Sequence, residues 1–305
     1  MIKKILYIFI LLFTSISYSQ LSKTHYIPPL THAAEGNANA VDQWMYISTP
    51  STSPVNVSIL PVGGTAQTIT VQNNQPQKVQ ISTNGYSQLY VEANTTSQVM
   101  NNKGYIIDAD KPIYVSVRVN AGGFEGNDDS SAQAGALVTK GLDGLGRTFR
   151  VGTFNSQSNS ANFNNYLNFL SVMATEDNTT VNFTNNYTSG FVIENYSGQF
   201  PINNIQLNRG ESYVIALELK DTSTATTQDA VTRNRDGLIG TLIQSDKDIV
   251  VNSGSSNGSF HNGGARDYGI DQIVDLSRVG KEYILVRGDG SDGWENILVV
   301  GHEDG

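Results

Sequence analysis

Four histidines are the side chains best suited to acid–base chemistry or metal binding in this 305-residue chain, because cysteine is absent. They are His25, His32, His261 and His302. None has the spacing of a helical zinc motif such as H-E-x-x-H, and we expect scattered surface or turn histidines. The chain also lacks a G-x-S-x-G nucleophile elbow and a phosphate-binding glycine pattern. The sequence therefore predicts no catalytic residue, no cofactor site and no metal site.

Two acidic loops, "FEGNDDSS" and "RGDGSDGWEN", are the remaining places where a cation or a partner could bind. The carboxylates are Glu125, Asp128 and Asp129 in the first loop, and Asp289, Asp292 and Glu295 in the second. Calcium takes about six to eight oxygen ligands, and neither loop has the spacing of an EF-hand. We therefore expect solvated hairpin tips. The tripeptide Arg287–Asp289 matches an integrin-binding sequence, but three residues recur too often by chance to predict that function.

The composition restricts the class of protein. The formal charge is −9 at pH 7 and no basic cluster offsets it, which argues against nucleic-acid binding. Charged residues make up only 15% of the chain, against roughly 25% in an average protein. Asn, Ser, Thr and Gln take their place, which suits solvent-facing β-sheet better than helix. The absence of cysteine excludes disulfides, thiol catalysis and zinc–thiolate sites.

The first 19 residues have the pattern of a secretory signal peptide. Lys3 and Lys4 precede an apolar run over Ile5–Phe13, which is too short to cross a membrane. Small residues follow, and cleavage after Ser19 leaves Gln20 as the new terminus. The remaining chain has no stretch that resembles a transmembrane helix. We therefore expect a secreted or cell-surface protein.

The elements that must position any site are predicted to be strands. "VNVSIL", "QTITVQ", "QKVQIS", "IYVSVRV" and "TTVNFT" alternate apolar and polar residues, so each strand buries one face and exposes the other. Turn-forming residues separate them at short spacing, for example "PVGG", "TNGY", "DADKP" and "QSDKD". This pattern predicts an all-β fold of tandem antiparallel β-sandwich-like units. A partial β-propeller is the alternative, since one unit could be divided into two four-stranded blades.

A long internal repeat divides the chain. "GYIIDADKPIYVSVRVNAG" begins at Gly104 and "GTLIQSDKDIVVNSGSSNG" begins at Gly240, which is an offset of 240 − 104 = 136 residues. We predict a lead-in over 20–39, a first unit over 40–165, a second over 166–293 and a truncated start of a third over 294–305. "VMATEDNTTVNF" is predicted to be a hairpin, and "VVGHEDG" repeats only its first half. We therefore expect a fragment whose continuation supplies a partner strand for "NILVV".

These segments resemble recurring sequences of the IgGFc-binding protein N-terminal domain family. The resemblance rests on "GYIIDADKPIYV" and "GTLIQSDKDIVV", on "VMATEDNTTV", and more loosely on "GALVTKGLDGLGRTFRV" and "DQIVDLSRVGKEYILV". It spans roughly residues 40–305. It implies a secreted or surface protein, which in bacteria is adhesin-like and associated with type IX secretion. It carries no catalytic motif, and the family name alone does not assign IgG as the ligand.

The sequence thus predicts a non-enzymatic binding or adhesion protein whose ligand is a glycan, a mucin or another surface protein. The alternative is a non-catalytic accessory region of a secreted carbohydrate-active enzyme. Two carboxylates about 5–10 Å apart in an aromatic-lined cleft would favour an enzyme. A flat surface or a cluster of loops would favour a binding protein.

Overall fold

The structure is a computed structural model that describes residues 20–32, 40–120, 134–152, 167–186, 191–218, 236–258, 267–286 and 297–302. The predicted signal peptide, both acidic loops, the tripeptide Arg287–Asp289 and His261 lie outside the described residues. Within the described ranges no helix is long and apolar enough to span a membrane.

The all-β prediction is confirmed. Antiparallel sheets curl into a half-barrel and a near-barrel, and one short parallel pair accompanies them. The first sheet has seven strands. They are β1 (Ser22–Ile27), β3 (Asp42–Ser48), β4 (Val55–Pro61), β5 (Gln67–Val71), β6 (Gln77–Ser82), β9 (Tyr105–Asn120) and β10 (Ala134–Val138). The parallel pair joins β2 (Leu30–Thr31) to β7 (Tyr90–Val91).

The second sheet has eight strands. They are β8 (Val99–Met100), β11 (Gly146–Arg150), β12 (Leu167–Ala174), β13 (Thr179–Thr184), β14 (Ile202–Leu207), β15 (Ser212–Glu218), β16 (Leu242–Gly258) and β17 (Asp267–Ile273). Short 3-10 turns occur at Ala93–Thr95, Gly141–Gly144 and Leu276–Arg278.

Strand pairing reproduces the sequence repeat. In the first sheet Ile107 of β9 pairs with Ile59 of β4, and 136 residues later Ile243 of β16 pairs with Phe183 of β13. The same offset relates the neighbours on the other side, since β1 pairs with β9 as β11 pairs with β16. Strands β3, β5, β6 and β10 likewise correspond to β12, β14, β15 and β17. Apart from the additional strand β8, the two sheets therefore share one topology.

The predicted turns "DADKP" and "QSDKD" are wrong, because both lie inside the long strands β9 and β16. The pairing of β1 with β9 shifts register there, between the pairs Ser22–Ile113 and Thr24–Asp108. A bulge of this kind bends a strand and tolerates proline, which explains Pro112 in the middle of β9. The turn-forming residues therefore mark a bend, and the two halves of the bent strand pair with different strands of the curled sheet.

The predicted hairpin over "VMATEDNTTVNF" is also wrong. Strands β12 and β13 do not pair with each other, since both pair with β16, β12 along residues 249–255 and β13 along residues 242–245. The acidic turn between them lies beside the bend of β16, where the Thr175 hydroxyl donates to the Asp248 carbonyl at 2.6 Å. Asn178 takes a positive φ of 55° at the end of this turn. A segment with the local form of a hairpin thus connects two strands that both pair with a distant third strand.

Gly146–Arg150 lies in the predicted first unit but forms β11, which pairs with β16 in the predicted second unit. Asp275 fixes the start of this strand. One carboxylate oxygen accepts from the backbone N–H groups of Arg147 and Thr148, both at 2.8 Å, and the other accepts from Ser277 N–H at 2.8 Å. Burial alone would raise the pKa of Asp275, but these hydrogen bonds outweigh it and lower the pKa below its ordinary value.

Asp275→Asn should therefore lower the free energy of unfolding at pH 7 by about 1–2 kcal/mol, since charge-assisted hydrogen bonds become neutral ones. A depressed folded pKa means that this stabilisation is present above the unfolded pKa and is lost as the pH falls through the folded pKa. Urea unfolding measured from pH 7 to pH 3 should show that acid lowers the free energy of unfolding less in the variant than in the wild type. Asp271→Asn, at an exposed ion pair with Lys140, is the control and should change stability by less than about 1 kcal/mol. Equal acid sensitivity of Asp275→Asn and the wild type would contradict this account.

The core of the half-barrel is completed by the second sheet. Residues from β12, β15 and β17 join the cluster built by the first sheet, and Phe169, Val214 and Ala216 are fully buried in it. Tyr268 belongs to the same cluster, and Gly135 of β10 approaches it so closely that an added Cβ would lie 2.5 Å from the Tyr268 Cβ. The outer face of the second sheet therefore closes the first barrel.

Buried amides join the same two sheets. Gln272 donates from Nε2 to the Tyr26 carbonyl at 3.1 Å and accepts at Oε1 from the Lys140 N–H at 2.7 Å. Asn252 donates to the Pro28 carbonyl at 3.1 Å and accepts from Gln272 at 3.2 Å. Two side chains of the second sheet thus satisfy backbone groups of the first.

The last described segments carry apolar side chains that are largely exposed. Tyr283–Val286 and Ile297–Val299 form no strand, and Val286 and Val299 are 88% and 81% exposed. His302 is held at the surface by Arg150, whose guanidinium lies 3.1 Å from His302 Nδ1.

Candidate functional site

Strand β3 turns its apolar residues inward and its aromatic residues outward. Met45 and Ile47 are fully buried, and the alternation places Trp44 and Tyr46 on the opposite face, where both are half-buried. The indole N–H of Trp44 donates to a carboxylate oxygen of Asp42 two residues earlier. This bond fixes the orientation of the ring. The two aromatic side chains stand roughly 7 Å apart along one strand.

Cations from the two neighbouring strands lie over these rings. The Lys78 ammonium of β6 is 3.8 Å from the centre of the Trp44 ring and 5.7 Å from that of Tyr46. The Arg118 guanidinium of β9 is 4.8 Å from the centre of the Tyr46 ring. Strand register produces this arrangement, since Trp44 pairs with Arg118 and Tyr46 pairs with Lys78. We call Trp44, Tyr46, Lys78, Arg118 and the neighbouring exposed Tyr114 the aromatic–cationic face.

The equivalent positions of the second sheet are buried rather than exposed. Phe169 corresponds to Trp44, since Phe169 pairs with Gly254 and Ala216 as Trp44 pairs with Arg118 and Gln80. Small or apolar residues thus stand in the second sheet where large and charged ones stand in the first. In the second sheet this face closes the half-barrel, whereas in the first it lies at the surface.

Two of the predicted surface histidines are instead core residues. His25 and His32 are both 0% exposed, so the surface or turn prediction is wrong for them. His25 contacts the Ser22 and Ile113 carbonyls through Nε2 at 3.2 and 3.0 Å, and the Thr139 hydroxyl through Nδ1 at 2.6 Å. Burial lowers its pKa, and the carbonyls only partly oppose this effect. The ring is a neutral bridge between β1 and the strands around it.

His32 lies in an aromatic cluster. Its ring stacks on Tyr86 at 4.6 Å between centroids and contacts Tyr90 at 5.1 Å, and Nε2 lies 3.0 Å from the Gly85 carbonyl. Burial lowers the pKa of His32 to about 4, against the opposing effect of that carbonyl. Burial also raises the pKa of Tyr90. Both groups are neutral at pH 7 and packed inside, so they hold the core together rather than move protons for a ligand.

The described histidines do not form a common site, and the described ranges contain no group of three or more His, Asp or Glu placed to hold a metal ion. The aromatic–cationic face is suited to recognition. Trp, Tyr and Arg are the residues that dominate binding energy at interfaces, because they bury large areas and make polar contacts as well. Asp42, the carboxylate beside this face, accepts from Trp44.

Sequence reasoning missed this face, although a signal was present. The alternation in "WMYIS", "QKVQIS" and "VSVRV" predicts only strands. Their outward positions hold Trp, Tyr, Lys and Arg, where a solvated strand more often carries Ser, Thr or Gln. Periodicity identified the outward residues, but their grouping on one face depends on the order β6–β3–β9, which the sequence did not predict.

Comparison with known proteins gave one result. A family model described as IgGFc binding protein matches residues 135–305, which is more than half of the chain. No curated protein and no solved structure matches.

Proposed function

Because the chain belongs to the IgGFc-binding protein family, we propose that it is a secreted or cell-surface binding protein of the bacterial adhesin type. Its partner is an extracellular glycan, a mucin or another surface protein. The aromatic–cationic face is the observation that carries this proposal, since it presents three aromatic rings and two cations on one exposed sheet surface. The family name directs attention to antibody Fc as one protein partner to test.

The cations bear on the kind of partner. The whole chain is acidic, with a formal net charge of −9, yet this face carries two cations, Lys78 and Arg118, on either side of β3. A positive patch on an otherwise acidic protein favours partners that carry local negative charge, because the rest of the surface repels them. Sulfated or sialylated glycans and acidic protein surfaces meet this condition.

The alternative function is a non-catalytic accessory region of a secreted carbohydrate-active enzyme. The same aromatic rings would then stack on sugar rings of the substrate. The geometry supports a non-enzymatic role in either case, because the face is a sheet surface and Asp42 beside it is engaged by Trp44. Glycosidase chemistry needs a pair of carboxylates on either side of a bond.

The binding prediction uses one substitution on the face. Arg118→Ala should weaken binding at least about tenfold to whichever probe the wild type binds, because removal of an interfacial Arg contact commonly costs more than 1 kcal/mol. The probes are a glycan array, purified mucin and IgG Fc. Arg209→Ala is the matched control, since Arg209 lies over the Tyr26 ring at 6.0 Å, away from the face. Binding that survives Arg118→Ala but is lost with Arg209→Ala would mean that the binding site lies away from the aromatic–cationic face.

Export is a separate prediction. The basic start, the short apolar run and the small residues before Gln20 favour signal-peptide cleavage. N-terminal sequencing of the protein recovered from the medium or cell surface should begin near Gln20. Recovery of an exported chain that still begins at Met1 would contradict it.

A further inference from the structure

The edge strand β6 differs from its counterpart in the second sheet. In the described part of the chain the strand order of the first sheet ends at β6, whereas β15 has a further neighbour, β8. A second segment also reaches the edge of β15, where Glu194 N–H donates to the Ala216 carbonyl at 2.8 Å and Ile193 bridges to Leu217. Among the described residues, extended chain therefore covers this edge in the second sheet, and none covers it in the first.

The side chains beneath the two edges differ in the same way. Ile215 on β15 is fully buried, and Phe191 and Ile193 from the covering segment belong to its core cluster. Val79, the equivalent residue of β6, packs against the first core but is only partly buried. Ile81 beside it is also only partly buried. The first sheet thus leaves apolar surface partly exposed under its edge. In the second sheet an additional extended segment covers the equivalent surface.

The backbone of β6 has a donor and an acceptor directed outward. Trp44 pairs with Gln80 as Phe169 pairs with Ala216, and the Ala216 carbonyl points away from its sheet toward Glu194. In an antiparallel strand the N–H and C=O of one residue point to the same side. Gln80 therefore presents its N–H and C=O at the outer edge of the first sheet. A bulge between Gln80 and Ser82 limits the regular edge to the first part of β6.

We propose that β6 binds an extended segment of another polypeptide by strand addition. The segment adds an antiparallel or parallel strand beside Gln77–Gln80, with apolar side chains turned inward to cover Val79 and Ile81 and polar side chains turned outward beside Gln80. The chain supplies its own example of such a segment, since Phe191 and Ile193 are buried on the inner side of the equivalent edge while Val192 between them is 45% exposed. This surface is separate from the aromatic–cationic face and adds peptide capture to the proposed function.

The test uses the synthetic, fluorescein-labelled peptide FVIENYS, which has the sequence of residues 191–197. Its binding to the full chain is measured by fluorescence anisotropy. Gln80→Pro removes the outward N–H, and proline is tolerated at edge positions whose N–H points away from the sheet. Gln80→Thr is the matched control, because it changes the side chain and keeps the N–H. We expect saturable one-to-one binding, at least about tenfold weaker in Gln80→Pro and within about twofold of wild type in Gln80→Thr.

Amide hydrogen exchange gives a result that does not depend on a variant. The peptide should slow exchange of the Gln80 N–H in the wild-type chain, and it should do so equally in Arg118→Ala. Absence of saturable binding, or binding without protection of Gln80, would overturn the proposal. Equal peptide binding by Gln80→Pro and wild type would also overturn it. A dimer of the unliganded chain that Gln80→Pro dissociates would assign the edge to a second copy instead.

Discussion

Phe169→Ala should lower the free energy of unfolding by about 3–5 kcal/mol, the usual cost of removing a fully buried phenylalanine ring. The location of this loss is the more informative part. Phe169 belongs to β12 in the second sheet, yet its ring lies in the core of the first barrel. Urea unfolding measures the total cost, and hydrogen exchange locates it. We expect the amides of Met45 and Val117 in the first sheet to lose protection together with those of β12.

Phe149→Ala is the control for that prediction. Phe149 is also fully buried, but it belongs to the core of the second sheet. The two variants should lose comparable stability, while only Phe169→Ala opens the first barrel by local unfolding. If protection in the first sheet is unchanged by Phe169→Ala, the two barrels do not share a core and the account of their junction fails.

Gln272→Leu should lower the free energy of unfolding by about 2–5 kcal/mol, although it preserves the approximate volume of the side chain. The change leaves the Tyr26 carbonyl and the Lys140 N–H without the partner that Gln272 provides. It also removes the donor to Asn252. A buried polar group that loses its partner keeps its full desolvation cost, which exceeds the net gain from one hydrogen bond. Chemical denaturation monitored by tyrosine fluorescence measures the loss.

Gln244→Leu serves as the matched control, because Gln244 lies in β16 with its side chain exposed. It should change the free energy of unfolding by less than about 0.5 kcal/mol. A Gln272→Leu variant as stable as Gln244→Leu would mean that the junction is held by apolar packing alone.

Much of the strand content was predictable from the sequence because a half-buried strand leaves a local signature. "VNVSIL" and "QKVQIS" alternate with period two, and the structure places them in β4 and β6. The repeat was equally visible, since Gly104 and Gly240 precede equivalent strands. Each of these features depends on neighbours within a few residues or on direct comparison of two segments.

The misjudged features depend on pairing between distant strands. "DADKP" consists of turn-forming residues, but β1 and β4 on either side hold it in a bent strand. "VMATEDNTTVNF" has the local form of a hairpin, but both of its halves pair with β16, about 70 residues further along, instead of with each other. The burial of His25 and His32 has the same cause, because the groups that accept or contact their ring nitrogens, such as Ile113 and Gly85, are distant in sequence.

The shared core also sets the order in which the chain can fold. Tyr26 receives its hydrogen bond from Gln272, 246 residues later, and the first barrel needs Phe169 and Tyr268 to close. Because the chain is synthesised from its N-terminus, the first barrel stays incomplete until most of the second sheet has been made. Contacts so far apart in sequence slow folding and prolong the time for which apolar surface is exposed. We expect the first barrel to be the last part of the folding chain to become resistant to protease.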